Sequence, residues 1–326
     1  MFSRIILIFL FFFGLITISA CTSQLTQRSD VQQFIHGMVD KHHFNEASLE
    51  NTFSQTHKNK KVLKLMSKPS EKKPWYFYQK LFISEKHLQN GLVFWKNNAK
   101  TLRQAEKQYG VPASIIVAII GIETNYGDNQ GNFQTMDALS TLAFYYPSRS
   151  TYFKTELEQF LLLSRDQSWD PISIQGSYAG ALGYPQFMPS TYRKYAVSVA
   201  KNKKANLFKN PRDAIISVAN YLHKKGWHLH QPIAVQAQVK GKTYESLGKK
   251  SPPQTLAALS KQGVYANKTY PGHMKAGFLS LEGRSDLEFW LIFHNFYVIM
   301  AYNNSSVYAM AVYQLSQQLV QNYYRG

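Results

Sequence analysis

Cysteine and acidic residues are scarce in this sequence of 326 residues. Cys21 is the single cysteine, so no disulfide framework can stabilise the fold. Asp and Glu together number 19, against 37 Lys and Arg, which leaves a formal net charge of +18. A surplus of this size predicts an anionic partner, which could be a nucleic acid, an anionic membrane or an acidic polymer.

The sequence also lacks the motifs of several common enzyme classes. It contains no HExxH zinc motif, no GxSxG nucleophile elbow, and no GxGxxG or GK[ST] loop where a strand-to-helix turn would need one. The ten histidines have no cysteine partner and are typical of surface residues. We therefore predict no metal site and no cofactor, and the nucleotide-dependent and serine-hydrolase classes are disfavoured.

The N-terminus has the pattern of a secretion signal. A short basic end, MFSR, precedes the apolar run IILIFLFFFGLITISA. Cys21 follows directly, in a pattern that resembles the bacterial lipobox, whose cysteine is lipidated after cleavage; a structural cysteine is the alternative, although a thiol here has no core to occupy. Thr22 rather than an aspartate comes next, which in such lipoproteins indicates the outer membrane. We predict an outer-membrane lipoprotein that faces the periplasm, where no nucleic acid is available as a partner.

Hydrophobic spacing predicts a mainly α fold. Helical patterns cover residues 31–53, 88–109, 112–123, 151–163, 189–200, 211–225 and 307–323. The lysine-rich stretch 57–74, broken by two prolines, is expected to be a solvated connector. Residues 231–293 alternate apolar and polar residues between glycine and proline breaks, which predicts a small β-rich insertion.

Glu123 lies near the end of the most apolar internal stretch, in IIVAIIGIETNYGDNQG at 115–131. The preceding helix is apolar all round and must be buried. A low dielectric and the negative end of the helix dipole both disfavour ionisation, so the pKa of Glu123 should be raised. A carboxylic acid that stays protonated near neutral pH can protonate a glycosidic oxygen. From the residues alone, a structural Glu123 that pairs locally with Asn125 or Tyr126 is an equal alternative.

Two further segments combine polar groups with aromatic rings. GSYAGALGYPQFMPSTY, at 176–192, places glycines, prolines and rings beside Ser177 and Gln186. NFYVIMAYNNSSVYAM, at 295–310, adds Tyr297, Tyr302 and Asn303. Together such groups suit a sugar, whose CH faces stack on rings and whose hydroxyls need hydrogen-bond partners.

Four segments, in this order, resemble the signature blocks of the membrane-bound lytic murein transglycosylase B family. They are IIGIETNYG, GSYAGALGYPQFMPSTY, NPRDAIISVANYLHKKGW and NFYVIMAYNNSSVYAMAVYQL. The resemblance runs from about Trp75 to near the C-terminus. It implies a lysozyme-like helical core with an additional α region and a small β region. It also implies a peptidoglycan substrate, cleaved between N-acetylmuramic acid and N-acetylglucosamine without water to leave a 1,6-anhydromuramic end.

The resemblance implies the residues of the site as well. Glu123 would act first as acid and then as base on the sugar's C6 hydroxyl, so that no second carboxylate is needed. The residues expected to line the cleft are Tyr78, Ser177, Gln186, Phe187, Met188, Tyr221, Tyr297, Tyr302 and Asn303. Arg149 matches an arginine that holds the peptide stem, although Ser148 stands where some relatives have a second arginine. The alternatives are a true hydrolase, in which water replaces the C6 hydroxyl, and a scaffold that binds peptidoglycan without cleaving it.

The expected organisation and partners follow from these patterns. We expect a signal peptide at 1–20, a linker at 21–30, an N-terminal helical region and basic connector at 31–74, a catalytic core at 75–230, the β-rich insertion at 231–293 and a C-terminal helical segment at 294–326. The expected partners are peptidoglycan strands and, through the lipid, the outer membrane. A link to cell-wall synthesis or division machinery stays open, and a monomer is expected.

Some relatives in this family carry an EF-hand-like calcium loop between the positions of Tyr195 and Pro211. This chain reads AVSVAKNKKANLFKN there, with lysines and no acidic residue. Calcium needs several oxygen ligands, usually carboxylates. No calcium site is therefore expected.

Overall fold

The computed structural model describes residues 25–67 and 73–325. The predicted signal peptide and Cys21 lie outside the described residues, as do residues 68–72 of the predicted connector. The chain forms two units, one ending at Thr56 and the other beginning at His57. All the predicted site residues that are described belong to the second unit.

The described part of the first unit, residues 25–56, contains two helices, α1 (Ser29–His42) and α2 (Glu46–Ser54). His43 adopts a left-handed backbone conformation with φ of 54°. Asn45 then caps α2 by accepting a hydrogen bond from the backbone N–H of Ser48 at 2.9 Å. The helical pattern predicted over 31–53 is therefore two helices joined by a capped turn.

The second unit is built mainly of helices. In chain order they are α3 (Lys60–Met66), α4 (Trp75–Phe82), α5 (Glu85–Asn97), α6 (Ala99–Tyr109), α7 (Ala113–Thr124), α8 (Thr135–Tyr145), α9 (Ser150–Gln167), α10 (Pro189–Tyr195), α11 (Pro211–Lys224), α12 (Leu256–Lys261), α13 (His294–Met300) and α14 (Ser306–Tyr323). Two short 3-10 helices span Pro147–Arg149 and Thr243–Leu247.

Helix α7 is the buried centre of this unit. Its residues from Ala113 to Gly121 are all buried, and it packs against α5, α6, α11 and α14. Burial of one isoleucine side chain stabilises a fold by roughly 1.5–3 kcal/mol. Because α7 carries four fully buried isoleucines, it anchors the surrounding helices and holds its own C-terminal end in a defined place.

Two segments of the second unit before α7 also differ from their predictions. The single helix predicted over 88–109 is the pair α5 and α6, which meet at Asn98. Asn98 leaves the helical range with φ of −115°, and its side chain donates a hydrogen bond to the Phe94 carbonyl at 2.9 Å. The lysine-rich connector contains α3, because Asn59 caps its first turn and Val62 is fully buried.

Two antiparallel sheets complete the second unit. A short ladder joins β1 (Phe133–Gln134) to β2 (Gln175–Gly176). Within the predicted insertion lie the strands β3 (Ala234–Val239), β4 (Gln254–Thr255), β5 (Val264–Ala266), β6 (Lys275–Glu282) and β7 (Leu287–Ile292). They form one sheet in the spatial order β4-β6-β7-β3-β5.

The five-stranded sheet has its own small core. The β6–β7 hairpin pairs Gly277 with Ile292 at one end and Glu282 with Leu287 at the other. Val235, Phe278 and Leu291 belong to one buried apolar cluster. The predicted fold class, mainly α with a small β-rich insertion, is confirmed.

Candidate active site

Glu123 lies one residue before the end of α7, where the chain leaves the core. Asn125 and Tyr126 follow with positive φ angles of 49° and 62°, so the backbone turns sharply after the carboxyl-bearing residue. Gly121 makes room for this turn, because a Cβ at that position would lie 2.6 Å from the Tyr126 ring. The turn brings the Glu123 side chain to the wall of an open cavity.

Tyr308 holds the Glu123 carboxyl from across the core. Its hydroxyl donates a hydrogen bond to Glu123 Oε1 at 2.7 Å. Tyr308 stands in the first turn of α14, and its backbone N–H donates to the N-cap hydroxyl of Ser305 at 3.3 Å. The side chain is only 7% exposed, so its hydroxyl has a defined position. Sequence reasoning did not single out Tyr308, which is separated from Glu123 by 185 positions.

The local pairing considered for Glu123 is not what the structure contains. The Asn125 side chain donates instead to Asp128 at 2.8 Å, and the buried Tyr126 hydroxyl has no hydrogen-bond partner among the described residues. Glu123 is therefore tied to a distant helix rather than to its own turn.

Burial raises the pKa of Glu123 from 4.5 to about 7. The Tyr308 hydrogen bond acts in the opposite direction, because it stabilises the carboxylate, but desolvation outweighs it. Glu123 is partly exposed and lines the cavity. Near neutral pH the carboxyl therefore has comparable populations of its protonated and ionised forms.

An aromatic cluster adjoins this carboxyl. The Tyr302 ring stacks on the Tyr308 ring at 6.4 Å and meets the Tyr221 ring at 5.0 Å. Phe187 lies 5.7 Å from Tyr221 and 5.8 Å from Tyr302. The Tyr302 and Tyr221 hydroxyls donate to the backbone carbonyls of Pro185 and Ala301. Since these hydroxyls are engaged, the cluster offers ring surface more than hydrogen bonds.

The glycine-rich loop is organised by its own polar side chains. The Ser177 hydroxyl accepts from the backbone N–H groups of Ala179 and Ala181 at 3.2 and 3.0 Å. The Gln186 amide donates to the carbonyls of Gln130 and Gly183 at 3.1 and 3.0 Å. Ser177 and Gln186 therefore shape the loop.

The loop is also tied directly to α7. The Thr124 hydroxyl donates to the Tyr184 carbonyl at 2.9 Å. Thr124 follows Glu123 in the chain, so this bond fixes the loop next to the carboxyl.

Two cavities lie at these elements. One has a volume of about 320 Å³, and its wall includes Glu123, Phe82, His87, Asn125 and Asn129. The second is about 60 Å³ and is lined by Gln186, Phe187, Met188, Thr191, Tyr221 and Tyr302. Five of the predicted binding residues thus come together around the small cavity.

His87 is a further polar residue of the Glu123 cavity that sequence reasoning missed. Burial lowers its pKa, so the imidazole is neutral at pH 7. Its Nε2 is buried without a hydrogen-bond partner among the described residues. No motif in the sequence marks this residue, because its place depends on how α5 packs on α7.

Five predicted site residues, Ser177 among them, lie outside the lining of these two cavities. Tyr78 stacks on Phe82, a residue of the Glu123 cavity, at 6.2 Å. Arg149 is exposed, with its guanidinium 4.6 Å from the centre of the Tyr152 ring. Asn303 is exposed in the turn before α14, and Tyr297 packs against Gly277 of the sheet. Their roles stay predictions.

The carboxylates nearest to Glu123 in the sequence are engaged elsewhere. Asp128 accepts from Asn125, and Asp137 accepts from the backbone N–H of His57 at 2.7 Å. Among the described residues that line the larger cavity, Glu123 carries the one carboxyl group. The cavity therefore offers a single acid with a raised pKa beside a surface of aromatic rings.

This fold and site define a class of lysozyme-like enzymes. Residues 26–317 match the transglycosylase SLT domain family, so the chain belongs to that family. The chain is also 42% identical over 298 residues to the membrane-bound lytic murein transglycosylase B of Escherichia coli K12, a match that covers 88% of this chain and 82% of that protein. The predicted membership of the lytic transglycosylases, as an enzyme, is confirmed.

Solved structures agree with this membership. The lytic transglycosylase Slt35 of Escherichia coli, in complex with calcium, superposes with a TM-score of 0.86 at 40% identity, over 92% of this chain and 95% of that one. SltB3 from Pseudomonas aeruginosa, in complex with NAG-anhNAM-pentapeptide, superposes with a TM-score of 0.79 at 28% identity, over 89% and 78% of the two chains.

The segment between α10 and α11, residues 196–210, has no carboxylate of its own to offer a calcium ion. Asp213 is 2% exposed, and its two carboxylate oxygens accept from the backbone N–H groups of Val199 and Asn206, both at 2.9 Å. Asp213 belongs to the first turn of α11, and the charged residues of 196–210 are all lysines. Across residues 25–67 and 73–325, no group of three or more His, Cys, Asp or Glu side chains is placed to hold a metal ion.

Proposed function

We propose that this chain cleaves the bond between N-acetylmuramic acid and N-acetylglucosamine in peptidoglycan without water, producing 1,6-anhydromuramic ends. The observation that carries the proposal is the single carboxyl of the cavity, Glu123, whose pKa burial raises to about 7. One group that is readily both protonated and ionised near neutral pH can serve as acid and then as base.

In the first step, the protonated Glu123 donates its proton to the glycosidic oxygen as the bond from that oxygen to the muramic C1 breaks. The N-acetylglucosamine leaves as an alcohol, and C1 takes on oxocarbenium-like character. The N-acetyl group of the muramic residue can stabilise this centre. Glu123 is now a carboxylate that accepts the Tyr308 hydrogen bond.

In the second step, the C6 hydroxyl of the same muramic residue attacks C1 and its proton passes to Glu123. This closes the 1,6-anhydro ring and restores the acid, so that no water is consumed. Usual glycosidases need a second carboxyl, either as the nucleophile or to activate a water. The sugar's own hydroxyl takes that role here.

The position of the Tyr308 hydroxyl contributes to both steps of the reaction. Its hydroxyl occupies Glu123 Oε1 at 2.7 Å, which leaves Oε2 as the oxygen that exchanges the proton with substrate. It also limits the rise of the Glu123 pKa, because it stabilises the ionised form. Glu123 is therefore readily ionised near neutral pH, as its role as base in the second step requires.

The aromatic cluster and the glycine-rich loop are proposed to bind the glycan. The rings of Phe187, Tyr221 and Tyr302 provide stacking surface for sugar CH faces. Tyr78, Ser177, Met188, Tyr297 and Asn303 belong to the same proposed cleft, and Arg149 is proposed to hold a stem-peptide carboxylate. The complex of the related SltB3 with NAG-anhNAM-pentapeptide supports a ligand of this class.

The deciding experiment is mass spectrometry of the products from purified sacculi, with wild type and Glu123→Gln in parallel. We expect wild type to release anhydromuropeptides, which lack one water relative to hydrolysed products, and Glu123→Gln to release none while still folding and binding sacculi. Hydrated ends would instead identify a hydrolase. Turnover by Glu123→Gln at the wild-type rate would remove Glu123 from the mechanism.

We also propose that the chain is anchored in the outer membrane by lipid on Cys21 and faces the periplasm. The lipobox-like sequence and the membrane-bound relative support this location. No helix of residues 25–67 and 73–325 is long and apolar enough to cross a membrane. Replacing Cys21 with serine should move the protein out of the membrane fraction, and retention there would contradict the anchor.

A further inference from the structure

A third cavity, lined by lysines, lies at the start of α14. It has a volume of about 300 Å³ and lies between the N-terminal turn of α14, the β6–β7 hairpin and the start of α4. Lys73, Lys249 and Lys250 supply its cations, and Ser280 and Ser306 supply hydroxyls. The rest of the wall is mainly apolar, with Trp75 and leucines of β6 and β7. We refer to it as the lysine cavity.

Among the residues that the structure describes, two of its three lysines have no carboxylate partner. Lys249 is paired with Glu282, with Nζ and Oε1 at 2.8 Å. Lys73 Nζ instead lies 3.7 Å from the centre of the Phe77 ring, and Lys250 Nζ lies 5.8 Å from that of Tyr297. Within the described residues, no carboxylate lies within 4.0 Å of either ammonium group. The lining therefore carries an excess of positive charge.

The N-terminus of α14 adds to the positive electrostatic potential of the lysine cavity. Ser306 and Val307 are the first two residues of α14, and both line the cavity. Their N–H groups have no acceptor within the helix, whereas those of Tyr308 and Ala309 are bonded to Ser305. Unpaired N–H groups and the positive end of the helix dipole favour a bound anion. Residues that carry cations, hydroxyls and N–H groups without an acceptor in the helix thus line one space.

The apolar part of the cavity wall indicates which class of anion it can bind. Trp75 and the leucines of β6 are buried, so the apolar surface that a ligand can reach is chiefly that of Leu287, which is 51% exposed. An inorganic ion gains nothing from such surface, whereas a short peptide with small apolar side chains and carboxylates can use both parts of the wall. The place of the cavity also matters, since Val307 directly precedes Tyr308, the hydrogen-bond partner of Glu123. An extended pentapeptide spans up to about 17 Å, so a peptide attached to a sugar at Glu123 is long enough to approach it.

We infer that the lysine cavity binds the carboxylates of a peptidoglycan stem peptide while its glycan is held at Glu123. This rests on the proposed function, which places peptidoglycan at Glu123. It assigns the peptide a binding site on α14 and the sheet, separate from the exposed Arg149. Lys250, which forms an isolated bridge with Leu279 of β6, thereby contributes to substrate recognition.

The test compares the double variant Lys73→Gln/Lys250→Gln with Lys242→Gln/Lys261→Gln. Both variants remove two exposed lysines, so they lower the net charge equally, but Lys242 and Lys261 lie outside the cavity. Calorimetry of the purified protein with free stem pentapeptide should show about tenfold weaker binding for the cavity variant and unchanged binding for the control. Wild type should bind the pentapeptide more tightly than its fully amidated form.

Turnover gives a second readout. The cavity variant should raise KM on peptide-bearing strands with kcat unchanged, and behave as wild type on strands stripped of peptide by an amidase. Equal loss on both substrates, equal loss in the control, or binding of the amidated peptide as tightly as the acid would overturn the inference. Inorganic phosphate competing as well as the pentapeptide would also overturn it.

Peptide binding is measured without turnover, so the two proposals fail separately. If products are hydrated but pentapeptide binding depends on the cavity lysines, only the mechanism is wrong. If anhydro products form but pentapeptide binding is unaffected by the cavity variant, only this inference is wrong.

Discussion

At the scale of single residues, Glu123 is subject to two opposing effects. Desolvation by α7 and its neighbours favours the neutral acid, and the Tyr308 hydroxyl favours the carboxylate. Desolvation is larger, which leaves the pKa near 7 rather than at 4.5. The Tyr308 hydroxyl is thus the adjustable part of the site, because it can be removed without changing the apolar surroundings.

Replacing Tyr308 with phenylalanine should move the alkaline limb of the pH–activity profile to higher pH. The hydrogen bond lowers the Glu123 pKa, so its loss raises that pKa further and keeps the acid protonated at higher pH. Loss of a hydrogen bond to a charged group costs about 1.5–3 kcal/mol, so we expect kcat to fall by about tenfold or more. The measurement is kcat and kcat/KM on glycan strands as a function of pH.

Tyr313→Phe is the matched control, because Tyr313 also lies on α14 but contacts Trp290 of β7 instead of Glu123. The alkaline limb of the pH–activity profile of Tyr313→Phe should stay at the wild-type pH. A limb that does not move in Tyr308→Phe, or that moves equally in both variants, would show that Tyr308 does not set the Glu123 pKa.

At the scale of elements, the Asp213 side chain organises the connection from α10 to α11. The helix predicted over 189–200 ends at Tyr195, and the chain then passes back to Asp213 in the first turn of α11. The buried Asp213 carboxylate binds Val199 N and Asn206 N. The Tyr192 hydroxyl donates to the Ala205 carbonyl at 2.8 Å. Direct side-chain bonds thus hold this loop.

Replacing Asp213 with alanine should destabilise the chain by about 2 kcal/mol, because two backbone N–H groups lose their acceptor. Asp213→Asn, which keeps one acceptor oxygen, should lose less. Calcium or EDTA should leave the melting temperature of wild type unchanged. A clear rise in melting temperature with calcium, measured by scanning calorimetry, would contradict this account of the loop.

At the scale of the whole molecule, the raised pKa of Glu123 links stability to pH. The group titrates near 4.5 when unfolded and near 7 when folded. Between these values the folded chain binds more protons than the unfolded chain, so the free energy of unfolding falls as pH rises. The buried carboxylate is therefore a stability cost that is complete above about pH 7.

Glu123→Gln removes that cost, because glutamine does not ionise. Relative to wild type, the variant should gain stability as pH rises from 4 to 8, with a gain on the order of 3 kcal/mol for the full shift. Urea unfolding at both pH values measures this difference. Glu106→Gln, on the exposed surface of α6, is the control. A stability difference that does not vary with pH would show that Glu123 is not held in a desolvated site.

Much of the fold could be predicted because its signals are local. The continuous apolar run of α7 requires burial, and Gly110 ends α6 in the left-handed conformation at φ of 70°. The Ser305 cap and the period-2 pattern of the insertion likewise act over a few residues. The breaks at His43 and Asn98 could not be predicted in the same way, because the flanking residues keep helical spacing on both sides.

The sequence by itself determined that Glu123 would be desolvated, because an all-apolar helix has no polar face to turn toward water. It also determined the excess of positive charge and, through four short blocks, the family. Only the tertiary structure decided which group meets that carboxyl. Tyr308, His87 and the lysine cavity depend on how helices far apart in the chain pack, and such contacts leave no periodic trace in the sequence.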